Sequence, residues 1–186
     1  MGNIRLYGST SGYTELAPPA VAPDGVLSLP SGVGTLLTAE GGKVLQVVRA
    51  TDTTNRSTTS TVFVDVTGMS VTITPQKSTS AVLILATGSW YVSSTQALDH
   101  LGEYRITDSS NNALAGTEAL TVADQNVSFT SSINIYGPLF GLAYITPATT
   151  SPITYKLRFR VTNASSTMNI RNASNTGQMF AIEVSA

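Results

Sequence analysis

The stretch ITYKLRFRV, residues 153–161, constrains the fold of this chain more than any other segment. Its odd-numbered residues are apolar or aromatic, and its even-numbered residues are Thr, Lys or Arg. A period of two is typical of a β-strand with one buried face. VSFTSSINIY and QMFAIEVSA alternate in the same way. We expect these residues of the two segments to point inward: Val127, Phe129, Ile133, Ile135, Phe180, Ile182 and Val184.

Further strand-like runs make the chain all-β. They lie at 44–50, 62–66, 69–75, 102–108, 117–123 and 138–146. Turn signals separate them at Thr67-Gly68, Asp108 to Asn112, Tyr136-Gly137-Pro138 and Asn175-Thr176-Gly177. Charged residues make up only 11% of the chain, against roughly 25% in average proteins. Eight to ten strands without a helical stretch predict a jelly roll or related two-sheet sandwich over residues 43–186.

The run AVLILA at 81–86 is apolar without alternation. Two interpretations fit this pattern. The strand is covered on both faces within its own domain, or one of its faces contacts another subunit.

Residues 1–42 differ in kind from the rest. Four prolines at positions 18, 19, 23 and 30 remove amide donors and favour extended backbone, so this segment cannot join a central strand ladder of its own domain. It also carries apolar residues that a disordered tail normally lacks. We therefore predict an extended N-terminal arm that lies along another surface, with a flexible linker as the alternative.

Composition argues against several classes of partner. The net charge is −1, and the one grouping of cations is Lys156, Arg158 and Arg160, too small for the basic surface that nucleic acids require. The chain begins without the pattern of a signal peptide and has no apolar run of about 20 residues, so we expect neither secretion nor membrane insertion. With no cysteine, stability must come from packing or oligomerisation.

Catalytic or metal-binding constellations are weak. Asp99, His100 and Glu103 lie close in sequence, but neither the spacing of a nucleophilic site nor that of a metal site accompanies them. Trp90 and Tyr91 would form a sugar-stacking platform if exposed, whereas a core or interface role is more common for aromatics at such positions. We predict a protein that is not an enzyme and holds no cofactor or metal.

Two segments resemble virion proteins of tailed bacteriophages, including phages of cyanobacteria. GSTSGYTELAPPAVAPDGVLSLPSGVGTLLT, residues 8–38, is similar to a segment that recurs in tail fibres, head fibres and capsid decoration proteins. Residues 51–85 resemble the opening of the globular domain that follows it. By its all-β pattern, the remainder is similar to trimeric jelly rolls of the tumour-necrosis-factor and C1q type.

The resemblance implies a homotrimer. Because the sequence has neither internal repeats nor coiled-coil heptads that would form a fibre shaft, we expect it on the capsid exterior and not in a tail fibre. The arm, residues 1–42, would bind the major capsid protein through Tyr7, Tyr13, Leu16, Pro18, Pro19, Val21, Val26, Leu27, Leu29 and Pro30. The threefold interface would contain Leu83, Leu85, Phe140, Tyr144 and Phe180. The alternative is a short tail-fibre or receptor-binding protein that recognises a host glycan or protein. Glycan cleavage is a third hypothesis.

Overall fold

The computed structural model describes residues 4–7, 12–16, 44–94, 100–124 and 133–185, and their regular elements are all strands. The chain divides into two compact units, Met1–Leu36 and Leu37–Ala186. In the first unit, β1 (Ile4–Tyr7) pairs antiparallel with β2 (Tyr13–Leu16), with Ile4 opposite Leu16. The predicted arm therefore contains a strand pair near its start, which the sequence analysis did not anticipate.

The second unit is a two-sheet sandwich. One sheet has the order β5-β10-β7-β8, and the other runs β3-β12-β6 with β9 on the far edge of β6. Two shorter strands complete the second sheet: β11 pairs with β6 on the edge that β12 also occupies, and β4 pairs with β11. Strands distant in sequence pair in both sheets, as in a jelly roll, and this confirms the predicted fold class. The strands are β3 (Val44–Asp52), β4 (Arg56–Thr58), β5 (Val64–Ile73), β6 (Ala81–Ser94), β7 (His100–Thr107), β8 (Leu120–Asp124), β9 (Ile133–Ile145), β10 (Ile153–Val161), β11 (Ser166–Ile170) and β12 (Gly177–Val184).

The core lies between the two sheets. On β10, Tyr155, Leu157, Phe159 and Val161 are buried, so the alternation read from ITYKLRFRV is confirmed. Strand β6 contributes alternate residues to the same core, including Val82, Ile84 and Ala86. Such interdigitated apolar layers supply most of the free energy that opposes unfolding.

Two predicted turns are wrong, because the strands pass through them. Thr67-Gly68 lies inside β5, where the register with β10 shifts and Gly68 has a φ of +89°. This is a β-bulge, for which glycine is suited. Tyr136-Gly137-Pro138 lies inside β9, whose ladder with β6 is unbroken. Pro138 is tolerated because β9 pairs with one neighbour only among the described strands.

The orientation predicted for QMFAIEV is also wrong. The alternation is correct, but Met179, Ala181 and Glu183 are the fully buried residues, while Phe180 and Ile182 point outward. Both faces of this strand carry large apolar side chains, so the sequence pattern alone did not identify the core face.

Glu183 is a carboxylate with no exposed surface at the end of β12. It accepts hydrogen bonds from the backbone N–H of Gln76 at 2.8 Å and of Lys77 at 3.3 Å, and from Nε2 of Gln46 at 2.6 Å. Burial alone would raise the pKa of Glu183, but the hydrogen bonds from Gln46 and Gln76 outweigh it and hold the pKa below its usual value. The ionised side chain thereby joins the loop before β6 to β3 and β12.

We predict that Glu183→Gln destabilises the chain at pH 7 by about 1.5–3 kcal/mol, the range for hydrogen bonds to a charged group. The side-chain NH₂ of a glutamine is itself a donor and would face the N–H donors of Gln76 and Lys77. Because the folded-state pKa is lowered, the contribution is complete above pH ~4.5 and is lost as the pH falls through the lower folded value. Urea unfolding of the unaltered chain and of Glu183→Gln between pH 7 and pH 3 measures the difference in their free energies of unfolding. A difference that stays constant with pH would contradict the assignment.

Candidate functional site

The outward side of the β3-β12-β6-β9 sheet is apolar over one half of its length. The cross-strand register places Val47, Ile182, Leu83 and Tyr144 in one row across the four strands. The next row contains Phe180, Leu85 and Leu142, with Phe140 one further step along β9. We call these eight residues the apolar face.

Several members of the apolar face are strongly exposed. Tyr144 is 64% exposed, Val47 and Phe140 are each 56% exposed, and Leu142 is 46% exposed. Single exposed apolar residues are ordinary, whereas a contiguous apolar patch marks an interaction surface. Arg49, the one charged neighbour in these rows, lies with its guanidinium 5.7 Å from the centre of the Phe180 ring. The surface is thus suited to contact with another protein surface.

All five residues predicted for the threefold interface belong to this face. Leu83 and Leu85 lie on β6, Phe140 and Tyr144 on β9, and Phe180 on β12. The sheet brings together side chains from three separate segments. The sequence analysis missed Val47, Leu142 and Ile182, although the alternation within β3, β9 and β12 contained the signal once the inward face was known.

The other sheet presents a charged outward side. Lys156, Arg158 and Arg160 alternate along β10, as the sequence predicted. Lys156 and Arg158 each form an ion pair with Asp65, at 3.1 and 2.7 Å, and Arg160 pairs with Glu103 at 2.7 Å. Exposed pairs of this kind contribute little to stability but keep a surface hydrated. The two outward sides of the sandwich therefore differ sharply in polarity.

A polar cleft adjoins the apolar face at the other end of β6. It has a volume of about 570 Å³. Its walls come from β6, β9, the start of β12 and the loop between β11 and β12. The lining residues used below are Thr87, Ser89, Tyr136, Arg171, Asn175 and Gln178.

Trp90 is a core residue and forms no exposed platform. It is 8% exposed, and its Nε1–H donates to the carbonyl oxygen of Pro138 at 2.8 Å. Gly137 lies directly opposite it on β9, and a Cβ there would overlap the indole ring. The sugar-stacking hypothesis for Trp90 is therefore wrong, while its neighbour Tyr91 lies on the outward side and stacks on Tyr136.

Three of the ten residues predicted for binding through the arm lie within the described part of the chain. Tyr7 is the last residue of β1, and Tyr13 and Leu16 bound β2. The others lie outside the described residues: Pro18, Pro19, Val21, Val26, Leu27, Leu29 and Pro30. Their role in binding a partner stays a prediction.

The residues considered for catalysis, Asp99, His100 and Glu103, form no recognisable catalytic site within the described part of the chain. Glu103 is held in its ion pair with Arg160, His100 begins β7, and Asp99 lies outside the described residues. Within the described ranges, no three His, Asp or Glu side chains are grouped so that they could hold a metal ion. The described part of the chain also contains no helix that could cross a membrane.

Comparisons with known proteins return viral particle structures. No protein-family model matches the sequence, and no curated protein matches it significantly. The chain is similar to infectious bursal virus derived T=1 particles, with a TM-score of 0.32 and 16% identity over 97% of this chain and 44% of that one. It is also similar to the Gx strain of infectious bursal disease virus, with a TM-score of 0.28 and 19% identity over 94% of this chain and 43% of that one. For the VP2 subviral particle of the same virus, the TM-score is 0.29 and the identity 17%, over 94% of this chain and 47% of that one.

The chain thus spans less than half the length of these viral structures. The jelly-roll assignment depends on the strand order described above.

We predict that Gly137→Ala destabilises the sandwich by about 1–3 kcal/mol, as other overpacking substitutions do. The added methyl group would displace the Trp90 ring and its hydrogen bond to Pro138. Since Trp90 is the only tryptophan of the chain, its fluorescence reports both the displacement and the urea midpoint. Gly88→Ala is the matched control, because a Cβ at Gly88 has ordinary contacts of 3.7 Å or more. Equal effects of the two substitutions would contradict this account.

Proposed function

We propose that this chain is a non-enzymatic virion structural protein, a homotrimeric cement or decoration protein on the exterior of a bacteriophage capsid. The apolar face would form the threefold interface, and residues 1–42 would bind the lattice of the major capsid protein. The observation that carries the proposal is the contrast between the apolar face and the ion-paired side of the other sheet.

The apolar face supports self-association through this sheet. In a threefold ring each contact is heterologous, so one part of the apolar face of a subunit would meet a different part of the apolar face of the next subunit. Rings of three bury one such face around a common axis and leave the opposite side in water. The side with Lys156, Arg158 and Arg160 has the hydration expected of the outside of such an assembly.

The arm supports attachment to a larger particle. The segment 8–38 resembles virion proteins, and its prolines disfavour a place in a central strand ladder of its own domain. Extended segments commonly bind by adding a strand to an exposed sheet edge and placing side chains in pockets. Several arms on one trimer would act together, which raises the strength of attachment well beyond that of one arm.

A short tail-fibre or receptor-binding protein is the second candidate function. The polar cleft favours it, because exposed aromatic and polar side chains of that kind can contact a host glycan or protein. Adsorption of the purified full chain to host cells, without binding to capsids, would replace the cement proposal with this one.

We predict that the unaltered chain sediments as a trimer, with three times the 19.4 kDa of one chain. Leu85→Glu places a carboxylate at the centre of the apolar face and should give monomers at micromolar concentration, because an unpaired charge is costly to bury. Analytical ultracentrifugation measures both. Val62→Glu is the control, since Val62 is exposed but lies outside both sheets. Monomers or dimers of the unaltered chain would refute the trimer.

We predict that Leu27→Asp combined with Leu29→Asp lowers capsid binding at least about tenfold, since burial of one leucine in the proposed contact would contribute about 1.5–3 kcal/mol. The measurement is co-sedimentation with capsid shells that lack this protein. Val62→Asp should bind as the unaltered chain does. Unchanged binding by the double variant would contradict the role of the arm.

A further inference from the structure

We propose that the polar cleft binds an acidic sugar residue, that is, a pyranose ring that carries a carboxylate. This binding site goes beyond attachment to a capsid. It does not depend on whether the chain occupies the head or the tail of a virion.

The strand order creates the cleft. One edge of β6 pairs with β12 as far as Thr87 and with β11 from Trp90 onward. Between these partners the connection from β11 to β12 leaves the sheet, and the Arg171 backbone N–H donates to the Ser89 carbonyl oxygen at 2.9 Å. The gap therefore has a fixed backbone frame, as preformed ligand sites usually do.

Tyr136 supplies a flat apolar surface in this cleft. It is the aromatic side chain on this part of β9, and it is 59% exposed. Its ring stacks on Tyr91 with centroids 5.4 Å apart and an interplanar angle of 27°. The stacking holds the ring in place before any ligand arrives. The C–H groups on one face of a pyranose ring can pack on such a surface while its hydroxyl groups stay hydrated.

Arg171 supplies the positive charge. Its guanidinium lies over the Tyr136 ring, 5.2 Å from the ring centre, and leaves the remaining exposed part of the ring for a ligand. Its Nη2 donates to the Ser174 hydroxyl at 3.3 Å. In the described part of the chain, Arg171 forms no ion pair with a carboxylate. The remaining N–H groups of a guanidinium match the geometry of a carboxylate. An arginine beside an exposed ring thus fits a sugar that carries this group.

The rest of the lining is uncharged and includes polar side chains from β6, β12 and the connection before β12. Thr87, Ser89, Asn175 and Gln178 supply hydroxyl and amide groups that can pair with sugar hydroxyls. The Asn175 Nδ2–H₂ already donates to Ser89 Oγ at 3.1 Å, which orients both groups. No aspartate or glutamate lines the cleft among the described residues. The local field is therefore set by Arg171 and favours an anion over a neutral sugar.

Size and position agree with such a ligand. About 570 Å³ lies within the range of about 300–1,000 Å³ typical of small-molecule sites. Ser89 follows Leu85 by four residues on β6, a separation of about 13 Å along a strand. The cleft thus borders the apolar face at Thr87, which lies opposite Phe140, and extends away from that face toward Tyr136, four residues before Phe140 on β9.

Calorimetric titration of the full-length chain tests the proposal. The probes are a trisaccharide of galacturonic acid and the corresponding neutral galactose trisaccharide. We expect millimolar or tighter binding of the acidic probe and weaker binding of the neutral one. Arg171→Gln should lower affinity for the acidic probe about tenfold or more, the loss expected for a charge-assisted hydrogen bond, and leave the neutral probe unaffected.

Variants of the ring and a matched arginine complete the test. Tyr136→Ala should weaken both probes, and Tyr136→Phe should retain binding because the ring remains. Arg160→Gln, on the opposite sheet, should bind as the unaltered chain does, with thermal unfolding as the check of folding. The proposal is overturned if the acidic probe fails to bind at millimolar concentration, if both probes bind equally, or if Arg160→Gln weakens binding as much as Arg171→Gln.

Discussion

The pairing of β6 with its neighbouring strands determines where the core, the apolar face and the cleft lie in the second unit. This strand pairs with β9 over its entire length, from Val82 opposite Ile145 to Ser94 opposite Ile133. Its other edge is divided between β12 and β11. Because side chains alternate along a strand, this one register decides which residues enter the core and which form the outward surface. A slip of one residue would exchange Leu83 and Leu85 for Val82 and Ile84.

The outward surface along β6 changes character from one end to the other. Leu83 and Leu85 lie among aromatic and aliphatic neighbours, whereas Thr87 lies between Phe140 and Gln178 and Ser89 lies in the cleft opposite Pro138. One strand thus carries part of the apolar face at one end and part of the cleft wall at the other. Under the two proposals above, subunits would pack at the first end and a ligand would enter at the second.

Buried polar groups connect this arrangement to the loops. Glu183 accepts hydrogen bonds from N–H groups of the loop before β6. Asp52 accepts a hydrogen bond of 2.8 Å from the side-chain amide of Asn172, which lies in the connection that borders the cleft. Burial raises the pKa of Asp52, but the hydrogen bonds from Asn172 and Arg56 outweigh it and leave the pKa lowered. Both carboxylates are therefore ionised at neutral pH and bind their loops through charge-assisted hydrogen bonds.

The sequence by itself determined the all-β class and the inward face of β10, and it singled out Leu83, Leu85, Phe140 and Tyr144, which lie on the apolar face. These follow from alternation and from apolar runs that one sandwich does not need to bury. Only the tertiary structure decided that β5 and β9 continue through Gly68 and Pro138, and that Phe180 and Ile182 point outward. The cleft was also invisible in the sequence, since Tyr136 and Arg171 meet only through pairing between distant strands. Local pattern encodes periodicity, whereas the choice of face and of partner depends on long-range contacts.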